Sequence, residues 1–143
     1  MNATQQTLNF QLGLLHFLHL LAMVDGVIDE RERKAIRAIV KEEEIPEVVF
    51  LDFETAIARK AEKEIYQEGL VLLNRCDDDE KKCVFVHLYR LSEADDKIHV
   101  KEVRLLLYSL RATNIDFEDV EIIARLTKAK AEMVYQSNRR SVA

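Results

Sequence analysis

The sequence predicts an all-α fold of about seven helices, organised as two related helical units around two central apolar helices. Apolar residues recur at helical spacing through most of the chain. Residues that break helices are scarce, with three Gly and one Pro among 143 residues, and this favours long helices with short connections. An acidic turn between two helices occurs twice, within the stretches 21–32 and 91–102. A chain of this length predicts one domain with a single core, over residues 1–143.

The first predicted helix covers residues 4–24 and is apolar around nearly all of its circumference, which is typical of a central helix. Gly26 is expected to end it, because glycine adopts a left-handed conformation without a side-chain clash. Asp29 and Glu32 have the spacing of a capping box. We therefore expect a second, amphipathic helix to begin there and to run to about Glu44.

Pro46 fits the first position of a third helix, predicted over residues 47–60, and a fourth helix is predicted over 62–75. No breaking residue separates these two, so one long helix is the alternative. The acidic run 77–80 predicts the start of a fifth helix, because negative charge is favourable at a helix N-terminus. This fifth helix runs to about Ala94 and is the second central apolar helix.

A sixth helix is predicted from about His99 to Ala112, and a seventh from the N-cap Asp116 to about Gln136. The sixth carries more apolar residues, including Tyr108, than one buried face requires. Two explanations stay open for this excess, namely deep burial and a surface for a partner.

The two units are related by one constant offset along the chain, equal to the separation between Asp25 and Asp95, which we call the repeat offset. Unit one covers about 4–60 and unit two about 77–136. The first and fifth helices are therefore expected to pack together near a pseudo-two-fold axis. The matching pairs are Leu18 and Leu88, Leu21 and Leu91, Asp25 and Asp95, Ile28 and Ile98, Glu32 and Glu102, Ile36 and Leu106, and Ile45 and Ile115.

Each acidic turn has an Asp at the end of a central helix and a Glu seven residues later. The four residues are Asp25, Glu32, Asp95 and Glu102. An Asp is unfavourable at a helix C-terminus, so it is expected either to bind backbone N–H groups or to coordinate a cation. In the second copy His99 replaces Asp29, so capping alone explains its Glu less well. Carboxylate ligands favour Ca²⁺, Mg²⁺ or Mn²⁺.

These turns resemble the signature of the TerB-like (tellurite-resistance) family and a related module of some DnaJ-type co-chaperones. The first copy carries the pattern as Ala22, Asp25-Gly26, Ile28, Glu32 and Ile36. The second copy keeps Asp95, Ile98, Glu102 and Leu106, and departs from the pattern at Ser92 and Asp96. The resemblance implies a duplicated helical fold with a metal-binding acidic centre. It also implies a cytoplasmic protein of stress-response or membrane-associated assemblies that acts by binding.

The composition disfavours several other classes of protein. A net charge of -5 and a pI near 5.4 argue against a nucleic-acid binder. The apolar run 12–24 is too short to span a membrane. Cys76 and Cys83 lack the spacing of a metal motif and are expected to be reduced thiols. His16 and His19 suit a zinc site by spacing, but packed or partly exposed histidines are the favoured interpretation.

Two functional hypotheses follow from the sequence. The first is an interaction module in which Asp25, Glu32, Asp95 and Glu102 hold a divalent cation and fix a surface for a protein partner. The second is a structural or oligomerising scaffold whose acidic turns only cap helices. Neither includes catalysis, because no nucleophile motif and no phosphate-binding loop is present. An acid–base enzyme that uses the same carboxylates is a third, remote alternative.

Overall fold

The computed structural model describes residues 3–26, 28–93 and 100–128, with the side chains of all of these except 3–7 and 25. Its elements are α1 (Ala3–Ala22), a 3₁₀ turn (Met23–Asp25), α2 (Glu30–Glu42), α3 (Glu47–Ile57), α4 (Glu62–Asn74), α5 (Asp78–Glu93), α6 (Val100–Thr113) and α7 over 117–128. No strand occurs in these ranges, so the prediction of an all-α fold with about seven helices is confirmed. Within them, no helix has both the length and the hydropathy that crossing a bilayer requires.

The helix α1 forms the centre of the core. Leu14, Leu15, Phe17 and Leu18 are all at most 1% exposed. The helix contacts α5, as expected, but it packs most extensively against α4. The sequence did not predict this partnership between α1 and α4.

Two glycines bring α1 and α4 close together. A Cβ added to Gly13 of α1 would lie 2.8 Å from Cδ2 of Leu73. A Cβ added to Gly69 of α4 would lie 2.8 Å from Cε2 of Phe17. Each helix therefore presents a gap in its side-chain surface, into which a large side chain of the other helix fits.

The helix α5 is the second central element, as predicted. Val84, Phe85, Val86 and Leu88 are buried, and the helix contacts α1, α2 and α6. Its N-terminus has a reciprocal capping box. The backbone N–H of Glu80 donates to Oδ1 of Asp77 at 2.8 Å, and the N–H of Asp77 donates to Oε1 of Glu80 at 3.2 Å. The acidic run therefore does begin a helix, through hydrogen bonds as well as charge.

The predicted boundary between the third and fourth helices is real. Helix α3 ends at Ile57 and α4 begins at Glu62, so the single long helix is excluded. Ala61 has extended backbone angles at the start of α4, and the N–H of Lys60 donates to the carbonyl of Ile57 in a tight turn. Pro46 is the N-cap of α3 and not its first residue.

The helices α2 and α6 end in the same backbone motif, at positions that the repeat offset relates. Glu44 and Asn114 have positive φ angles of 53° and 59°. In both cases the next N–H donates to the carbonyl five residues earlier, at 3.0 Å: Ile45 to Val40, and Ile115 to Leu110. This is the Schellman motif. Two positions of the predicted repeat thus share a conformation, while the pseudo-two-fold arrangement stays a prediction.

The sixth helix is buried on one face only. Glu102, Ser109, Leu110 and Thr113 form the buried face. Deep burial does not explain the remaining apolar residues, because several of them are exposed: Val100, Val103, Leu107 and Tyr108. Phe117, Ile122 and Leu126 of α7 are exposed as well. An apolar surface therefore covers parts of α6 and α7.

Candidate functional site

The first acidic turn has the local structure that its sequence predicts. Gly26 has a φ of 89°, and its N–H donates to the carbonyl of Met23 at 2.8 Å. The backbone N–H of Glu32 donates to Oδ1 of Asp29 at 2.8 Å, so Asp29 is the N-cap of α2. The capping function of Asp29 is therefore confirmed. This cap uses the backbone N–H of Glu32 and does not involve the Glu32 carboxylate.

Some of the predicted site residues lie outside the described part of the chain. The backbone of Asp25 ends the 3₁₀ turn, but its carboxylate is not among the described side chains. Asp95, Asp96, Ile98 and His99 belong to the segment 94–99, which lies outside the described residues. The structure therefore bears on the predicted acidic centre through Glu32 and Glu102.

Glu32 and Glu102 line the same small cavity, which has a volume of about 30 Å³. The residues that line it form three pairs, each related by the repeat offset: Leu21 and Leu91, Ala22 and Ser92, and Glu32 and Glu102. Glu102 is 6% exposed and Glu32 is half-buried. The cavity is large enough for a water molecule or a single metal ion.

Two carboxylates that line one cavity repel each other when both are ionised. Like charges in a poorly solvated place raise the free energy of the folded protein unless a cation, a proton or hydrogen-bond donors compensate them. Oxygen ligands of this kind suit hard divalent cations. The arrangement can therefore hold such a cation between α2 and α6.

Glu102 also borders a larger hollow of about 340 Å³ between α5, α6 and α7. Its walls are mainly apolar and include Val103, Leu107 and Phe117. The ring of Phe117 packs edge-on against Tyr89, with 5.8 Å between the ring centroids. One carboxylate thus lies between the small acidic cavity and an apolar hollow that opens to the surface.

A third cavity, of about 630 Å³, lies between α1, α3 and α4. Three of its polar residues, His16, Lys60 and Glu68, already have hydrogen-bond partners. Nδ1 of His16 lies 2.6 Å from the carbonyl oxygen of Leu12, and Nζ of Lys60 lies 2.7 Å from Oε2 of Glu68. The ring of His19 packs against Phe53. These contacts agree with the prediction that the two histidines are packed side chains.

Among the described side chains, one group of three metal-ligand types comes within range of a single ion. Its members are Glu43, Cys83 and His87, whose ligand atoms all lie within 4.8 Å of one another. This group was not predicted from the sequence. One feature of the sequence does indicate the group: Cys83 and His87 are four residues apart on one helix, which places both side chains on the same face.

The chain gives no match to models of known protein families, to curated protein sequences or to solved structures. The likeness to the TerB-like family therefore rests on the residues of the two acidic turns, and it stays a prediction.

Proposed function

We propose that the protein is a non-enzymatic interaction module whose acidic centre binds one divalent cation. Glu32 and Glu102 are its central ligands, and Asp25 and Asp95 of the same two turns supply further oxygen atoms. The proposal depends above all on one observation. The two glutamates belong to different units of the predicted repeat and nevertheless line a single cavity of about 30 Å³.

The burial of Glu102 supports a cation at this place. A carboxylate that is 6% exposed loses most of its hydration, and a second carboxylate at the same cavity adds repulsion. A divalent cation removes that repulsion. Ca²⁺, Mg²⁺ and Mn²⁺ are the candidates, because all the proposed ligands are oxygen atoms. Shared between Glu32 of α2 and Glu102 of α6, the ion would tie the two units together.

The position of Glu102 connects the ion to a surface. Glu102 borders both the acidic cavity and the apolar hollow lined by Val103, Leu107 and Phe117. An ion that fixes the Glu102 side chain also fixes the rotation of α6, and with it the shape of the hollow. The partner is then a protein that inserts an apolar side chain there, or a second copy of the chain. We also propose that the protein belongs to the TerB-like family, acts in stress response and is cytoplasmic.

Calorimetric titration with Ca²⁺, Mg²⁺ and Mn²⁺ tests the cation. We expect one site per chain in the wild type and an affinity at least tenfold lower in Glu32→Gln and Glu102→Gln. Glu30→Gln is the matched control, because Glu30 is exposed in the first turn of the same helix. It removes the same charge and is expected to bind like the wild type. Asp25→Asn and Asp95→Asn test the two outer ligands.

Two results would contradict the proposal. If no ion changes the heat or the thermal stability, the acidic turns only cap helices, and the scaffold hypothesis applies. In that case Asp25→Asn lowers stability by about 1 kcal/mol or less, whether or not metal is present. If an ion binds but leaves the methyl NMR signals of Val103 and Leu107 unchanged, the connection to the apolar hollow is wrong.

A further inference from the structure

A second side-chain cluster lies at the contact between α2 and α5. Glu43 is the C-cap of α2, and Cys83 and His87 lie one turn apart on α5. Oε1 of Glu43 lies 2.7 Å from Nε2 of His87 and 3.6 Å from Sγ of Cys83. The His87 side chain is 4% exposed and that of Glu43 is 23% exposed. The cluster is thus mostly buried, with one side open to solvent.

The fold holds Glu43 in place through its backbone. The N–H of Glu43 donates to the carbonyl of Ile39 at 2.9 Å. The next residue, Glu44, begins the left-handed turn that ends α2. The carboxylate is therefore aimed at α5 from a fixed helix end, while regular helix geometry fixes Cys83 and His87.

We propose that Glu43, Cys83 and His87 form a zinc-binding site with three protein ligands and a fourth position for water. Thiolate and imidazole together select Zn²⁺ over Ca²⁺, Mg²⁺ and Mn²⁺. Three protein ligands with one open position are the common arrangement of a non-structural zinc site. The site is separate from the acidic cavity, shares no residue with it and does not depend on the function proposed above.

The distances from Glu43 to the other two ligands are near those of tetrahedral coordination, and all three ligand atoms lie within 4.8 Å of one another. Bond lengths near 2.0 Å for nitrogen and oxygen and 2.3 Å for sulfur place ligand atoms about 3.3 to 3.5 Å apart. The separation of 3.6 Å between Sγ of Cys83 and Oε1 of Glu43 already fits. The 2.7 Å between Nε2 of His87 and Oε1 of Glu43 has to widen by about half an ångström.

The charges also balance. On binding, a Zn–S bond forms and the thiol proton of Cys83 leaves to the solvent. The proton between Nε2 of His87 and Oε1 of Glu43 leaves to the solvent, and the neutral imidazole carries its one proton on Nδ1, so that the Nε2 lone pair binds the ion. Thiolate and carboxylate then neutralise the two positive charges of Zn²⁺. Without an ion, burial and the facing Glu43 carboxylate raise the pKa of Cys83 to about 12.

The predicted repeat does not account for the cluster. Under the repeat offset, the counterparts of Cys83, His87 and Glu43 are Gly13, Phe17 and Thr113. Glycine and phenylalanine are not metal ligands, and Phe17 belongs to the buried core. The cluster thus combines a residue of unit one with two residues of unit two, and its counterparts under the repeat offset are glycine, phenylalanine and threonine.

Cobalt(II) titration of the reduced protein tests the site, because a thiolate bound to Co²⁺ gives a charge-transfer absorption band. We expect one Co²⁺ per chain, displacement by one equivalent of Zn²⁺, and loss of the band in Cys83→Ser. Cys76→Ser is the matched control, since Cys76 is the other thiol of the chain and lies outside the cluster. It is expected to keep the band. Glu32→Gln should keep it too, which separates this site from the acidic centre.

Absence of the band in the wild type at micromolar Co²⁺, or its persistence in Cys83→Ser, would overturn the proposal. His87 is buried, so His87→Ala can fail to fold. Glu43→Gln covers that case, because it preserves the shape of a partly exposed side chain. It is expected to weaken Co²⁺ binding at least tenfold while the helical circular dichroism stays unchanged, and unchanged affinity would exclude Glu43 as a ligand.

Discussion

Glu44 and Asn114 share a left-handed backbone conformation at the ends of α2 and α6, at equivalent positions of the predicted repeat. A side chain in this conformation lies close to its own backbone and raises the energy of the folded state. Asn tolerates the conformation better than Glu, because its short side chain can hydrogen-bond locally. One motif is therefore formed at two positions with different degrees of strain.

Glu44→Gly is expected to raise the free energy of unfolding by about 1 kcal/mol, because glycine adopts a positive φ without strain. Asn114→Gly should raise it by less. Urea unfolding monitored by circular dichroism measures both changes. Glu42→Gly is the control, since Glu42 is exposed within α2, and there glycine should destabilise by about 1 kcal/mol. Equal losses at positions 42 and 44 would show that the left-handed turn carries no strain.

Gly69→Ala is expected to lower the free energy of unfolding by about 2 kcal/mol, although alanine is the better helix former. The added Cβ would lie 2.8 Å from the rigid ring of Phe17 and 3.2 Å from Cβ of His16. Gly13→Ala should lower it less, because the clash is with the flexible end of Leu73. Gln67→Ala, at an exposed position of α4, is the control and should be near neutral. Stabilisation by Gly69→Ala would contradict the close packing of α1 and α4.

Protonation of His19 is expected to destabilise the fold in mild acid. Burial lowers the pKa of His19, and the neighbouring His16 lowers it further. Below about pH 6.5 the unfolded chain therefore binds a proton at His19 more readily than the folded protein does. The stabilisation of the folded state by neutral His19 is present above this pH and is lost as the pH falls. His19→Gln should lose less stability than the wild type between pH 7 and pH 5. If urea unfolding shows that the free energy of unfolding depends on pH in the same way in the wild type and in His19→Gln, this effect is refuted.

Alkylation of Cys76 at pH 8 is expected to be about 100-fold slower in the native protein than in denaturant. Burial, with Glu80 and Asp77 nearby, raises the pKa of Cys76 from 9.0 to about 11, and only the thiolate reacts. Mass spectrometry after timed exposure to iodoacetamide measures the rate at each cysteine. A native rate within a few-fold of the denatured rate would show that the thiolate is not suppressed.

Much of the local structure was predictable from the sequence. Helix starts at Asp29 and Asp77 and the left-handed Gly26 follow from side-chain chemistry that acts over three or four residues. The packing of α1 on α4 was not predictable in the same way. Gly13 and Gly69 look like isolated glycines until the helix faces are known, because a lone glycine does not identify the side chain that fills its gap.

The same difference between local spacing and packing between helices applies to the candidate sites. Glu32 and Glu102 were predicted together because their spacing recurs in both units of the predicted repeat. Glu43 was not connected with Cys83 and His87, because it lies 40 residues from the first of them and belongs to another helix. The exposed face of α6 was also ambiguous in the sequence, since apolar periodicity does not say whether the neighbour is in the same chain.

Helix α4 lies between the two predicted units in sequence and belongs to neither, yet it is the most extensive partner of α1. A fragment that ends before Glu62 would leave the α4-facing side of α1, including Phe17, in water. We therefore expect that neither predicted unit folds independently. We expect unfolding to be a single cooperative transition, with no stable intermediate in which only one unit is folded.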